Sequence, residues 1–115
     1  MMEHKRPTTY FLKDKEIQDL VLDMGYCYAS KRITIDGMKV GYMYKETSES
    51  PMDSGWRFFS GTESQEEIDN PENVEIYDVN TIANYDISII PYLHAESNVA
   101  FERTECKDVF RTVKI

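Results

Sequence analysis

The sequence feature that most constrains the fold is an Asp-Gly pair, Asp36-Gly37, between two short runs of alternating apolar residues. Such a pair is the strongest short-range signal for a two-residue β-hairpin, because a type I′ turn needs positive φ at both central positions. We therefore predict a hairpin that turns at this pair, with a second strand that continues through Tyr42 and Tyr44. Four apolar side chains then share one buried face: Ile33, Ile35, Met38 and Val40.

The segment before this hairpin has the apolar spacing of an amphipathic helix. The pattern i, i+3, i+4, i+7 predicts a helix over residues 15–24. Asp14 is placed to cap its start, and Gly25 is placed to end it in a left-handed conformation. The apolar positions are Ile17, Leu20, Val21 and Met24.

Short strands and helices are predicted for the rest of the chain. Thr62 and Gln65 have capping-box spacing ahead of a short acidic helix that Pro71 limits, and Asp78 can cap a helix over residues 79–85. Asp86 can start a further turn. Strands are predicted over residues 56–59, 74–77, 99–103 and 109–115. Because helices and antiparallel strands alternate without βαβ periodicity, we predict a single α+β domain over residues 1–115, with a mainly antiparallel sheet and a few short helices.

Negative charge is concentrated in the middle of the chain. Between Glu46 and Asp78 there are ten carboxylates and one base, Arg57, a local balance of −9. The rest of the chain carries 12 bases and 11 acids. A negative face attracts cationic partners and repels nucleic acid. The sequence therefore predicts a basic protein partner and no nucleic-acid binding.

Aromatic residues accompany this acidic segment. Trp56, the only tryptophan, is either a core residue of a predicted strand or an interface anchor, since large aromatic residues beside a polar rim are typical of binding hot spots. Further amphipathic surface comes from Tyr26, Tyr28, Tyr42, Tyr44 and Tyr77. The predicted partner-binding residues are Asp53, Trp56, Glu63, Glu66, Glu67, Asp69 and Glu72.

Residues for catalysis or metal binding are scarce. There are two histidines, His4 and His94, and no nucleophile, phosphate-loop or metal-binding motif, so we expect no catalytic residues, no metal and no cofactor. Cys27 and Cys106 have no CxxC spacing and are predicted to be reduced thiols. Neither a signal peptide nor an 18-residue apolar run occurs, which predicts a cytoplasmic protein that does not bind membranes.

A polar cluster near the end of the chain supports a different hypothesis. These side chains could line a pocket for a small polar ligand, which would make the chain a small-ligand-binding protein or an unrecognised enzyme. Helix and turn capping explains the same residue types. The cluster consists of Asp78, Asn80, Asn84, Asp86 and Arg103. A general interaction domain is a third alternative.

Three longer strings are more specific: KVGYMYKE at residues 39–46, DSGWRFFSGTES at 53–64 and EIYDVNTIANYDISIIPYL at 75–93, closed by AFER at 100–103. In this order they resemble a family of small bacterial proteins, first catalogued as a domain of unknown function and later grouped with the polymorphic-toxin immunity proteins as their thirty-third family. The resemblance covers residues from about 29 to 103. It implies a cytoplasmic protein that binds and blocks a cognate secreted toxin, and it leaves the toxin's identity and the oligomeric state open.

Overall fold

A computed structural model of the chain describes residues 10–105 and 107–114. Six strands in these residues form one sheet in the order β4-β1-β3-β2-β5-β6. Neighbouring strands are antiparallel except for β1 and β3, which are parallel. The strands are β1 (Tyr26–Ser30), β2 (Tyr42–Lys45), β3 (Asp53–Phe59), β4 (Val74–Asp78), β5 (Val99–Arg103) and β6 (Phe110–Val113). The predicted α+β class with a mainly antiparallel sheet is confirmed.

The helices of the described residues are short. They are α1 (Lys31–Thr34), α2 (Gln65–Asp69) and α3 (Val79–Tyr85), with 3-10 turns at Asp14–Glu16, Pro71–Asn73 and Ile87–Tyr92. Asp78 caps α3 as predicted, because its side chain accepts a hydrogen bond from the Asn80 N–H. The cap of α2 is Ser64 rather than Thr62, since the Ser64 hydroxyl accepts from the Glu67 N–H.

The core lies on one face of the sheet. The apolar side of α3 and the turn Ile87–Tyr92 pack against this face, where Trp56 and Phe58 of the central strand β3 are fully buried. Trp56 stacks on Phe58 and on Phe101 of β5, with ring centroids 5.8 Å and 6.3 Å away. Within the described residues, α3 and the turn Ile87–Tyr92 leave the opposite face of the sheet open.

The hairpin predicted at Asp36-Gly37 is wrong. Residues 31–34 form α1, which begins because the Ser30 hydroxyl accepts a hydrogen bond from the Arg32 N–H. Gly37 does have positive φ (+76°), but it ends this helix by donating its N–H to the Ile33 carbonyl at 3.1 Å. Ile33 and Val40 are buried as predicted, whereas Ile35 and Met38 are only partly buried.

Replacing Gly37 by valine should still destabilise the protein. A β-branched residue resists the left-handed conformation, and a Cβ here would stand 2.6 Å from the Phe11 ring. The backbone cost is about 1 to 2 kcal/mol, measured by thermal or denaturant unfolding. Gly37→Asn places a Cβ at the same point but tolerates positive φ, so it should lose less. A valine variant as stable as the wild type would contradict this role.

The helix predicted over residues 15–24 is also wrong. Only Asp14–Glu16 form a 3-10 turn, and Leu20 and Leu22 are exposed. The segment is instead held on α3, because the Asn80 side-chain oxygen accepts hydrogen bonds from the Leu20 and Val21 N–H groups. Backbone groups bound to side chains of another helix cannot also form the i→i−4 bonds of their own helix.

Of the two cysteines predicted to be reduced thiols, the structure describes one. Cys27 is a free, fully buried thiol, and burial raises its pKa. Cys106 lies outside the described residues, as does His4. No helix in the described ranges is long and apolar enough to cross a membrane.

Candidate functional site

Four tyrosines lie on the open side of the sheet, which we call the tyrosine face. They come from alternate positions of β1 and β2, and each is half-buried: Tyr26, Tyr28, Tyr42 and Tyr44. Strand β3 lies between β1 and β2, and its Arg57 pairs in register with both Tyr28 and Tyr44. Phe59 is the next β3 residue on this side, and its ring stacks on Tyr44 at 6.2 Å between centroids.

Arg57 is the electrostatic centre of the tyrosine face. Its guanidinium makes a bidentate pair with the buried Asp53 carboxylate at 2.9 and 2.8 Å, and its Nε donates to Glu46 at 2.7 Å. The guanidinium also lies 4.6 Å from the centroid of the Tyr28 ring. Hydrogen bonds from Arg57 hold the pKa of Asp53 well below its usual value. Burial alone would lower the pKa of Arg57, but the bonds to Asp53 and Glu46 outweigh it and raise that pKa.

The loop between β2 and β3 borders the tyrosine face through Glu49. This carboxylate accepts hydrogen bonds from the Tyr26 and Tyr28 hydroxyls, and its own backbone N–H donates to Asp53 at 2.9 Å. The hydrogen bond to Glu49 raises the pKa of Tyr28 to about 12. The Tyr28 hydroxyl is therefore a donor to Glu49 at neutral pH.

The opposite border is formed by residues 62–73, which we call the acidic arm and which include α2. Glu67 anchors the arm to the body of the protein through a bidentate pair with Arg32, at 2.6 and 2.7 Å. Glu63 closes the turn before α2 by accepting from the Ser60 and Gly61 N–H groups. Three further carboxylates of the arm are exposed: Glu66, Asp69 and Glu72.

A cavity of about 360 Å³ lies between the acidic arm and the tyrosine face. The sheet and the arm contribute apolar and aromatic side chains to its lining: Tyr28, Tyr44, Phe59, Ile68, Pro71 and Val74. Charged side chains complete the lining: Glu46, Glu49, Asp69 and Arg57. A second hollow of about 260 Å³ shares Phe59 and Ile68 with it. The two hollows adjoin at these residues, and together we call them the groove.

The predicted partner-binding residues divide into three groups in this structure. Trp56 is fully buried, and its indole N–H donates to the Leu93 carbonyl at 3.0 Å, so it is a core residue. Asp53 is buried against Arg57, and the two anchoring carboxylates of the arm have structural partners. The exposed set is Glu66, Asp69 and Glu72.

The tyrosines are recognisable in the sequence as amphipathic surface, but no local pattern assigns Glu46, Glu49 or Phe59 to a site. The available signal was the repeated Tyr-x-Tyr spacing in 26–28 and 42–44, which places both pairs on one side of their strands.

The polar cluster near the end of the chain is bound to the protein itself. Asn80 and Asn84 donate to the Gln18 carbonyl, at 2.8 and 2.9 Å, and so hold the segment before β1. Asp86 pairs instead with Arg103 and accepts from the Val40 N–H at 2.9 Å. Capping accounts for only part of the cluster: Asp78 accepts from the Asn80 N–H and Asp86 from the Ser88 N–H, whereas the other contacts reach distant segments. Within residues 10–105 and 107–114, no group of three or more His, Cys, Asp or Glu side chains is arranged to hold a metal ion.

Comparison with known families places this α+β domain in the class of immunity proteins. Residues 27–114 match the family model described as the immunity protein Imm33 domain. Because the match covers most of the chain, the protein belongs to the Imm33 family, which confirms the resemblance seen in the sequence motifs. No curated protein and no solved structure matches the chain. The matched residues include β2 to β6, the acidic arm, and β1 and the tyrosine face except for Tyr26.

Proposed function

We propose that this protein binds a cognate toxin in the cytoplasm and blocks its activity, using the tyrosine face and the acidic arm as the contact surface. One observation carries the proposal: one face of the sheet presents four half-buried tyrosines and is bordered by the exposed carboxylates of the acidic arm. Membership of an immunity-protein family supports a toxin as the partner.

The composition of this surface favours a protein partner. Tyrosine supplies amphipathic contact area at small conformational cost, and aromatic residues are enriched in the centres of interfaces. Ile68 adds exposed apolar area on the arm side of the groove, with 37% of its surface accessible. Burial of such a face against another protein is favourable in free energy.

The charge of the surface favours a partner with a basic surface. The single base in residues 46–78, Arg57, is already paired with Asp53 and Glu46, so it does not offset the exposed carboxylates. Complementary charge accelerates association and makes the rate depend on salt. A basic toxin surface would be drawn to the acidic arm before the tyrosines make close contact.

Charge reversal of the acidic arm tests this contact surface. Glu66, Asp69 and Glu72 changed together to lysine should slow association with the toxin about tenfold or more at low ionic strength and should weaken protection in cells that co-express the toxin domain. Stability should change little, by about 0.5 kcal/mol or less for each exposed site. Glu63 and Glu67 are left unchanged because they hold the arm in place.

A matched variant controls for net charge. Asp19, Glu96 and Glu105 are also exposed and lie outside the groove lining, so reversing them to lysine adds the same charge elsewhere. The toxin is taken from the gene next to that of this protein, and binding is measured by stopped-flow and calorimetry. Full protection and an unchanged association rate with the acidic-arm variant, or equal losses in both variants, would rule out this contact surface.

A further inference from the structure

We propose that the cavity between the acidic arm and the tyrosine face receives one arginine side chain of the protein partner. This inference rests on the proposed function and specifies the chemistry at the centre of the contact. The size, walls, charge and hydrogen-bonding groups of the cavity all match a guanidinium group.

The size and walls of the cavity suit a single long side chain. Its volume of about 360 Å³ is near the lower end of the range for small-molecule pockets, which is roughly 300 to 1,000 Å³. The rings of Tyr28, Tyr44 and Phe59 contribute its aromatic side, and Ile68 and Pro71 face them from the arm. An arginine side chain combines an apolar stem with a flat charged end, so it can contact both kinds of wall.

The carboxylates around the cavity have unused hydrogen-bonding capacity. Glu46, Glu49 and Asp69 each accept hydrogen bonds through one oxygen only, and their second oxygens (Oε1, Oε2 and Oδ2) accept none from the residues that the structure describes. Arg57, the only base that lines the cavity, is already neutralised by the buried Asp53. The lining therefore has an excess of negative charge and open acceptors, which a cationic donor can satisfy.

The protein already binds one guanidinium on this face in the proposed manner. Arg57 lies over the Tyr28 ring at 4.6 Å while its N–H groups donate to the carboxylates of Asp53 and Glu46. The cavity presents the same two elements, an aromatic surface and carboxylate oxygens, to an incoming group. Arginine fits them better than lysine, because its planar guanidinium stacks on aromatic rings and has five N–H donors in a fixed arrangement.

A direct test uses small probes and needs no toxin. The full chain, labelled with ¹⁵N, is titrated with N-acetyl-arginine amide and followed by two-dimensional NMR. N-acetyl-citrulline amide has nearly the same shape but no charge, and N-acetyl-lysine amide has the charge without the planar group. We expect saturable shifts around Tyr44, Phe59 and Ile68 with the arginine probe, weaker shifts with lysine and none with citrulline. Equal responses to arginine and citrulline, or shifts confined to other surfaces, would overturn the proposal.

A pair of variants localises the binding. Asp69→Asn removes the charge of one bordering carboxylate and should weaken binding of the arginine probe about two- to fivefold. Asp19→Asn removes an exposed charge outside the cavity lining and should leave it unchanged. Equal effects of the two variants would indicate a diffuse charge effect and contradict a specific site.

Replacement of arginines in the toxin separates this inference from the proposed function. Each arginine on the toxin's binding surface is changed to lysine or glutamine, and binding is measured by calorimetry. One arginine should dominate the affinity, and its loss should abolish the difference between wild-type protein and Asp69→Asn. Tight binding and neutralisation without such an arginine would overturn the inference and leave the proposed function standing. If the arginine probe binds in the cavity but the toxin is neither bound nor neutralised, the proposed function fails.

Discussion

Replacing Trp56 by alanine is expected to lower the free energy of unfolding by about 3 to 5 kcal/mol. The side chain is fully buried, stacks between Phe58 and Phe101, and donates its indole N–H to the Leu93 carbonyl. Truncation removes these contacts, leaves a large cavity and strands the Leu93 carbonyl without its donor. Few side chains in a domain of this size contribute as much.

Urea unfolding followed by far-ultraviolet circular dichroism measures this loss, because the variant has no tryptophan fluorescence. Leu22→Ala is the control: Leu22 is 67% exposed, so its truncation should change the stability by about 0.5 kcal/mol or less. A Trp56 variant with near wild-type stability and weaker toxin binding would mean that the indole acts at the interface and not in the core.

Replacing Asp53 by asparagine is expected to cost about 3 to 5 kcal/mol, because it leaves the buried Arg57 guanidinium without its bidentate partner. The Asp53 carboxylate also accepts from the Glu49 and Gly55 N–H groups, so it ties the middle of the β2–β3 loop to the start of β3. The substitution should therefore also release Glu49 from its position on the tyrosine face. Asp53→Asn combined with Arg57→Met should cost less than the sum of the single variants.

The same carboxylate makes stability depend on pH. Its pKa in the folded protein lies below the usual 3.8 of the unfolded chain, so the unfolded state takes up the proton first. The stabilisation is complete above about pH 5 and is lost as the pH falls through 3.8 toward the folded pKa. Urea midpoints between pH 6 and pH 2 should fall less steeply for Asp53→Asn than for the wild type. Parallel pH profiles would contradict this assignment.

Local signals in the sequence predicted β2 to β6 and α3, but not β1 or the segments whose conformation depends on distant contacts. Alternating residues in β3 and the Asp78 cap act within a few positions, and these elements occur where expected. The segment over residues 15–24 has helical spacing, yet Asn80 and Asn84, some 60 positions away, bind its backbone. At Gly37 the sequence indicated a positive φ but not whether it belongs to a hairpin or to the end of a helix.

The site was predictable in composition and not in arrangement. The charge of the middle segment and the tyrosine pairs are visible in the sequence, but the parallel pairing of β1 with β3 is a long-range feature. That pairing alone brings Tyr28 beside Arg57. For the same reason the sequence could not separate exposed carboxylates such as Glu66 from buried or anchored ones such as Asp53 and Glu67.

Side chains of β3 alternate between the two faces of the sheet, and this constrains how binding specificity can change in evolution. Trp56 and Phe58 point to the core, while Arg57 and Phe59 point to the tyrosine face. A substitution in this strand therefore alters folding and recognition together. The exposed positions of the acidic arm have no such double role, so under the proposed function substitutions there change partner specificity and leave the scaffold intact.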